Sequence, residues 1–231
     1  MDWDNTFSPS KLKTYESCKL KYKLHYVDKI RPPQPVTSDL QFGSFVHKFA
    51  ELYDGTNSKN IVKDIIKEYD FDESFKRVTA QTLKNVIEFY NKYNKYPAET
   101  EQSFSSEFDS YSLYGIIDRI MVTKNRRIVT DYKTSKNPNR DRHIFQMRFY
   151  NLMVSKKYNV EPKDTKCLIY YPRIDTEDVF LFANNEIDAF HKQIESMIVD
   201  IKTENDWKPS KGFHCKWCAY KESGHCPLWN K

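Results

Sequence analysis

The sequence lacks the features that mark disordered chains, membrane helices and helicase motors. Its 231 residues include only 5 glycines and 10 prolines and contain no internal repeat, which excludes a low-complexity chain. No stretch of 18 consecutive apolar residues occurs, so no membrane-spanning helix is predicted. The acidic segment Met1–Asp4 is not apolar, and we therefore expect no secretory signal and a cytoplasmic location. A Gly-x-x-x-x-Gly-Lys-Ser/Thr motif is also missing, which excludes a P-loop helicase motor in this sequence.

Positive charge is concentrated in two stretches, although the whole chain carries a net charge of only +5. Residues 11–31 contain seven Lys and Arg against two acidic residues, and residues 124–148 contain eight against two. Concentrated basic stretches suit a polyanion such as DNA. The alternative interpretation is that they are ordinary solvated helix faces.

Hydrophobic periodicity changes from helical to strand-like near residue 98. Ser8 and Pro9 are typical of a helix start, and the apolar spacing continues to about residue 27, so we expect Cys18 to lie on that helix. An extended linker is predicted over 31–35, and turns at Ser110–Tyr111 and Lys124–Asn125. Further helices are predicted over 40–54, 58–69, 73–95, 142–157 and 186–203, and strands over 102–108, 113–122, 127–132, 165–172 and 178–183.

This order of elements predicts an α/β fold with a mixed sheet flanked by helices. We expect one domain with three parts. They are a mainly helical part (1–98), a sheet core (99–183) and a helix with a cysteine-rich tail (184–231).

Two aspartates occupy strand positions where a charge is costly. Asp118 follows Ile116 and Ile117, and Asp131 ends the next predicted strand. An antiparallel hairpin around residue 125 would bring both carboxylates together, where they repel unless a cation lies between them. Lys133 is two residues after Asp131 and therefore lies on the same strand face. Two carboxylates and an ammonium group suit phosphodiester hydrolysis assisted by a divalent metal, although a surface Asp–Lys ion pair is the simpler alternative.

These residues resemble the motifs of one nuclease family. The segments that carry the resemblance are Gly43-x-x-x-His47, Gly115-Ile-Ile-Asp118-Arg119, Asp131-Tyr-Lys133-Thr134 and Gln146-x-x-x-Tyr150. In this order they are similar to the PD-(D/E)XK nucleases of the RecB-like branch, which implies a restriction-endonuclease-like core. The resemblance implies Mg²⁺ or Mn²⁺ held by His47, Asp118, Asp131 and the Tyr132 carbonyl, with Lys133 as the catalytic lysine.

The same resemblance gives roles to residues that would otherwise be read as structural. Gln146 and Tyr150 lie one helical turn apart and are expected to support the site or contact DNA. Arg119 is expected to touch a phosphate or fix the neighbouring carboxylate. His47 by itself would be read as a packed or surface histidine, and Glu51 as either its outer partner or a surface neighbour.

The cysteines indicate a second metal site. Cys215-Lys-Trp-Cys218 followed by Cys226 has the spacing of metal ligands, and three thiolates need a fourth ligand. Cys18 is one candidate, whereas Cys167 reads as a core thiol of a buried strand. His214 and His225 keep a zinc site open. The arrangement resembles the iron–sulfur subgroup of the family, which includes AddAB-type and CRISPR-associated RecB-like nucleases, and it implies a [4Fe-4S] cluster on Cys18, Cys215, Cys218 and Cys226.

Taken together, the sequence predicts a metal-dependent hydrolase of DNA. An exonuclease that acts on ends or single strands, in recombination, repair or replication, is favoured over an endonuclease. The alternative is a non-catalytic nucleic-acid-binding subunit of a helicase–nuclease or CRISPR adaptation complex. A metallohydrolase for a small phosphoester is disfavoured by the basic stretches. DNA is the expected partner, with a helicase, recombinase or CRISPR integrase as candidate protein partners and no membrane.

Overall fold

The computed structural model describes residues 5–33, 35–124 and 126–229, and at residue 102 it describes the backbone alone. Residues 34 and 125, in the predicted linker and turn, lie outside this set, as does the segment 1–4. The chain forms two compact units, one of residues 1–35, 107–113 and 188–231, and one of residues 36–106 and 114–187. That they form one domain stays a prediction. No helix among the described residues is long and apolar enough to cross a membrane.

The second unit begins with a helical layer. Its helices are α3 (Ser38–Leu52), α4 (Ser58–Ile65) and α5 (Glu73–Tyr93). The first of these starts at Thr37, whose hydroxyl accepts the backbone N–H of Leu40 at 3.2 Å. Its apolar face belongs to one core cluster with the buried face of α5, and Phe42, Phe45 and Phe49 are fully buried there. Burial of rings of this size contributes about 2 kcal/mol each, so the backbone of α3 is firmly held.

The second unit also contains most of a mixed sheet, as predicted. Its strands are β2 (Ala98–Phe108), β3 (Tyr111–Val122), β4 (Arg127–Tyr132), β5 (Thr165–Tyr171) and β6 (Thr176–Phe180), of which β2 and β3 extend into the first unit. Strand β2 pairs with β3, and the remaining order is β3-β4-β5-β6. The β3–β4 and β5–β6 pairs are antiparallel and β4–β5 is parallel. The predicted α/β fold is therefore confirmed.

The parallel pair requires a crossover connection, and helix α6 (Arg140–Tyr158) provides it. Its first turn is capped by Asn139, whose side chain accepts the N–H of Arg142 at 3.1 Å. The predicted turn at Ser110–Tyr111 is displaced by one residue, because Tyr111 already pairs as the first residue of β3.

The first unit contains strand β1 (Thr6–Phe7), which pairs with Ser112 and Leu113 in parallel. Helices α1 (Pro9–Ser17) and α2 (Lys19–Tyr22) follow, with a π-helical turn over Lys23–Val27. Towards the other end of the chain lie α7 (Asn184–Thr203), a 3₁₀ turn (Phe213–Trp217) and α8 (Ala219–Glu222).

The prediction of one unbroken helix through Cys18 is wrong. Cys18 is extended, with φ −163° and ψ 109°, and it both ends α1 and caps α2. Its sulfur accepts the backbone N–H of Lys21 at 3.5 Å, which uses the thiol as a helix cap. The apolar spacing of Leu12, Tyr15, Leu20 and Leu24 runs across the break and conceals it.

Several contacts within the first unit join its N-terminal segment to its C-terminal one. The hydroxyl of Tyr15 donates to Glu204 at 2.9 Å, and Glu204 also pairs with Lys19. Tyr22 is buried and its ring stacks on Trp207, so it cannot stack on a nucleic-acid base. The hydroxyl of Tyr220 donates to the Ile30 carbonyl at 2.7 Å.

Candidate active site

The two aspartates lie opposite each other on neighbouring strands. Arg119 pairs with Thr130 across the antiparallel β3–β4 hairpin, and the same register continued by one residue places Asp118 opposite Asp131. Both side chains are buried, Asp131 to 3% exposure. Asp118 Oδ2 accepts the backbone N–H of Tyr132 at 2.6 Å, which fixes that carboxylate against β4. The predicted hairpin thus concentrates negative charge at one place in the sheet.

His47 reaches this place from α3. Its Nδ1 lies 3.3 Å from Asp118 Oδ2. Burial lowers the pKa of His47, but the hydrogen bond and charge of Asp118, aided by the charge of Asp131, outweigh burial and raise that pKa. Glu51 pairs instead with Lys48 at 2.8 Å, which is the surface alternative considered for it.

The glycine of the upstream motif has a steric role. A β-carbon on Gly43 would lie 3.3 Å from the Thr134 hydroxyl oxygen. The small residue therefore lets α3 approach the chain that follows β4, and it does so one helical turn before His47.

Glu101 is the acidic residue that sequence reasoning missed. Ligand atoms of His47, Glu101 and Asp118 all lie within 4.8 Å of one another, and His47 Nδ1 is 4.0 Å from Glu101 Oε1. Glu101 sits on β2 with a φ of +47°, a conformation uncommon for a non-glycine residue. Burial and then the charge of Asp118 raise its pKa. Glu101 immediately precedes the predicted strand and belongs to none of the recognised motifs, so its sequence neighbourhood gave no signal.

Lys133 and Gln146 hold the two oxygens of Asp131. The Lys133 ammonium lies 2.5 Å from Oδ2, and the Gln146 amide donates to Oδ1 at 2.9 Å. Burial and then the charge of Asp118 raise the pKa of Asp131, and Lys133 offsets part of this rise. The backbone N–H of Lys133 donates to the Tyr170 carbonyl at 2.9 Å, so the lysine is anchored where β4 leaves the sheet.

Tyr150 fixes the crossover helix α6 against β3. It accepts a hydrogen bond from Gln146 at 2.9 Å and donates to the Ile116 carbonyl at 2.7 Å. A β-carbon on Gly115 would lie 3.0 Å from the Tyr150 ring, which only a residue without a side chain avoids. The Gln146–Tyr150 pair therefore supports the site from behind, because it holds Asp131 and a β3 carbonyl together.

The side chains of two predicted site residues, Arg119 and Tyr132, pack against aromatic rings. The Arg119 guanidinium is buried and lies over the Tyr90 ring, 4.9 Å from its centroid, and its Nε has no hydrogen-bond partner among the described residues. The Tyr132 side chain is buried against Phe89 and Tyr170. A phosphate contact by Arg119 and metal binding by the Tyr132 carbonyl stay predictions.

A single serine connects two of the cysteines in the first unit. The backbone N–H of Ser210 donates to Cys18 Sγ at 3.5 Å, and its carbonyl accepts from Cys215 Sγ at 3.8 Å. Cys215 Sγ also accepts the N–H of Gly212 at 3.5 Å. Ser210 therefore lies beside both sulfur atoms.

The other two candidate cysteines, Cys218 and Cys226, and the candidate histidines His214 and His225 lie in the same tail. The backbone N–H of Cys226 donates to the carbonyl of Tyr220, in the helix that follows Cys218. His214 contacts the Ser210 carbonyl at 3.0 Å and His225 contacts the Ser223 hydroxyl at 2.8 Å, so each imidazole has a local partner.

Cys167 is placed differently from the other cysteines. It is fully buried on β5 and donates to the Met147 carbonyl at 3.6 Å. Burial raises its pKa to about 12, which keeps the thiol protonated and unsuited to metal binding.

Comparison with known proteins identifies the family. A profile described as the PD-(D/E)XK nuclease superfamily matches residues 6–226, which is nearly the whole chain. The chain belongs to the PD-(D/E)XK nuclease superfamily. The superfamily recognised in the sequence is thus confirmed, whereas the RecB-like branch and the iron–sulfur cluster stay predictions.

This PD-(D/E)XK protein is similar to one curated protein in sequence and to one solved structure in fold. The CRISPR-associated exonuclease Cas4 of Francisella tularensis subsp. novicida is 26% identical over 133 residues, which are 57% of this chain and 65% of Cas4. The chain therefore matches slightly less than two thirds of that relative. A candidate exonuclease of known structure from Eubacterium rectale has a TM-score of 0.57 at 14% identity, with 93% of this chain and 86% of that chain covered. This likeness supports the restriction-endonuclease-like fold.

The described residues fit the divalent metal that PD-(D/E)XK nucleases use. Carboxylate oxygens with one imidazole nitrogen are the donors that Mg²⁺ and Mn²⁺ prefer. Glu101, Asp118 and Asp131 are partly or fully buried near one another. Burial and then the charge of Asp118 raise the pKa of Glu101 and of Asp131, and a cation would offset that repulsion. Asp131 Oδ2 is buried and accepts no hydrogen bond of normal geometry from the described residues, although Lys133 pairs with it.

Proposed function

We propose that this chain is a metal-dependent deoxyribonuclease and that it removes nucleotides from DNA ends or single strands. The observation that carries the proposal is the convergence of His47, Glu101 and Asp118 beside the Asp131–Lys133 ion pair. A protein that merely binds DNA has no need to bury paired carboxylates next to a lysine, because burial without a cation costs free energy.

The roles of the residues follow from their contacts. His47, Glu101, Asp118 and Asp131 would hold the cation, which supplies Lewis acidity by lowering the pKa of a water molecule and polarising the phosphate. Lys133, held by Asp131, orients the attacking water or neutralises the charge that develops on the phosphate. Gln146 positions Asp131 and through it Lys133. Attack by water leaves no covalent bond between the enzyme and DNA.

A cleavage assay tests this proposal. End-labelled single-stranded and duplex DNA and closed circular DNA are incubated with Mg²⁺ or Mn²⁺. We expect loss of labelled ends while circles persist. Lys133→Ala and Asp118→Ala should each lower the rate by at least about a hundredfold. Lys136→Ala is the matched control, because Lys136 is exposed and lies three residues away. Unchanged cleavage by Lys133→Ala would contradict the mechanism, and cut circles would make the enzyme an endonuclease.

The four cysteines are proposed to bind one [4Fe-4S] cluster with a structural role. The contacts of Ser210 with Cys18 and Cys215 support a shared site, and the family resemblance favours iron–sulfur over zinc. Anaerobically purified protein should be brown, and Cys18→Ser should lose the metal whereas Cys167→Ser should keep it. Colourless protein with one zinc ion per chain would replace the cluster by a zinc site. Full metal retention in Cys18→Ser would exclude Cys18 as a ligand.

A role beside other DNA-processing proteins is proposed from the name of the Cas4 relative. The Cas4 relative is CRISPR-associated by name, which favours a CRISPR integrase over a helicase or recombinase as partner. Co-purification from the native host with tagged chain tests this choice, and recovery of helicase or recombinase subunits instead would contradict it.

A further inference from the structure

The cysteine-rich tail exposes large aromatic rings. Phe213 is 79% exposed and Trp217 is 62% exposed, and their rings form an edge-to-face pair with centroids 4.8 Å apart. Trp229 is exposed to 38%. Rings of this size are normally buried, so their exposure in one short segment indicates a surface with a binding partner.

Lysines surround these rings. The Lys216 ammonium lies 5.2 Å from the Trp217 ring centroid, and Lys211 and Lys221 lie 5.4 and 4.4 Å from that of Trp229. Within the part of the chain that the structure describes, none of these three lysines forms an ion pair. We call Lys211, Phe213, Lys216, Trp217, Lys221 and Trp229 the tail surface.

The tail surface differs from the basic stretch at residues 11–31. There, Lys13, Lys19 and Lys23 pair with Glu16, Glu204 and Asp28, so much of their charge is neutralised within the protein. Lys11 is buried and donates to the Thr6 carbonyl. The ammonium groups of the tail surface, in contrast, are available to an anionic partner.

We infer that the tail surface binds single-stranded nucleic acid, with bases stacked on Phe213 and Trp217 and phosphates beside the lysines. Exposed aromatic rings with interleaved positive charge are what single strands require, because every base has a face that can stack. A protein partner is disfavoured, since lysine is depleted from the centres of protein interfaces. Both rings belong to the 3₁₀ turn Phe213–Trp217, which also contains Cys215 and is followed by Cys218.

This inference rests on the proposed function in naming DNA as the polyanion, but its test does not depend on cleavage. Binding of a labelled oligo(dT) of about 16 nucleotides is measured by fluorescence anisotropy without added divalent cation. Phe213→Ala and Trp217→Ala should each weaken binding about tenfold. Trp217→Phe, which keeps an aromatic ring, should stay within about threefold of wild type. Val199→Ala, at an exposed apolar residue of α7, should be unchanged.

A second measurement separates stacking from charge. An abasic strand of equal length should bind the wild-type protein and Trp217→Ala with the same affinity. In a separate measurement, oligo(dT) should quench the tryptophan fluorescence of the wild-type protein more than that of Trp217→Phe. Melting temperature and metal content verify that each variant folds. Wild-type affinity of Trp217→Ala for oligo(dT) would overturn the inference and leave the surface to a protein partner. If Trp217→Ala weakened binding of the abasic strand as much as binding of oligo(dT), base stacking on Trp217 would be excluded. If the wild-type protein bound oligo(dT) but did not cleave DNA, only the proposed nuclease function would be contradicted.

Discussion

Replacement of Glu101 by glutamine should have opposite effects on the metal-free and metal-bound protein. Glu101 is the acidic residue outside the recognised motifs, and its ligand atom lies within 4.8 Å of those of His47 and Asp118. Glutamine keeps the size of the side chain and removes its charge. We expect Glu101→Gln to stabilise the metal-free protein and to weaken its binding of Mn²⁺.

The magnitude follows from Coulomb's law. Two unit charges 4.8 Å apart repel by about 3 kcal/mol at an effective dielectric constant of about 20. The side chain of Glu101 is 30% exposed, so solvent and counterions reduce this repulsion. A gain of about 1–2 kcal/mol in the free energy of unfolding is therefore expected near pH 8. Loss of one carboxylate near the ion should weaken Mn²⁺ affinity at least about tenfold.

The pH dependence of this gain has a definite sign. Burial and Asp118 raise the pKa of Glu101, so the folded protein binds its proton more tightly than the unfolded chain does. The charged side chain therefore destabilises the fold above the folded-state pKa. That penalty disappears below the unfolded-state pKa of about 4.3, where Glu101 is protonated in both states. The stability gain of Glu101→Gln should accordingly vanish as pH falls to about 4.

Denaturant unfolding across pH and calorimetric titration with Mn²⁺ measure both effects. Glu99→Gln is the matched control, because Glu99 is exposed on the same strand two residues away. A variant that is less stable than wild type at pH 8 and binds Mn²⁺ equally well would refute the reasoning. Glu101 would then be a structural residue of β2.

Three further predictions concern the surroundings of the site. Gly115→Ala should displace the Tyr150 ring, because the new methyl group would lie 3.0 Å from it. In the DNA assay this substitution should slow cleavage more than Gly212→Ala does. Mn²⁺ should raise the melting temperature less at about pH 5.5 than at about pH 8. The reason is that Glu101 and Asp131 have raised pKa values, so protons compete with the ion for their carboxylates at the lower pH. A rise in melting temperature that does not depend on pH would contradict this. Iodoacetamide should leave Cys167 unmodified in the folded protein, since its pKa of about 12 keeps the thiol protonated, and mass spectrometry of digested peptides checks this.

The sequence could predict those parts of the site that depend on local order. Asp118, Asp131 and Lys133 were found because strand alternation and one hairpin turn fix their relation over a few residues. Glu101 was missed because its position depends on how β2 pairs with β3 and on an unusual backbone angle, and neither leaves a periodic pattern.

The break at Cys18 was missed for a related reason. Apolar spacing reports which face of a segment is buried, and here the spacing continues although the helix stops and starts again. A sulfur that caps a helix has no established sequence signature, so only the backbone reveals it.

The candidate site can form only after the crossover helix α6 has been synthesised. A nascent chain that ends before residue 140 already contains His47, Asp118 and Lys133. It lacks the helix that carries Gln146 and the strand β5 against which β4 pairs in parallel. Without them Asp131 loses the amide that holds it, and Lys133 loses the Tyr170 carbonyl that anchors its backbone. A ribosome-bound or truncated chain of this kind would carry most of the candidate site residues without a formed site.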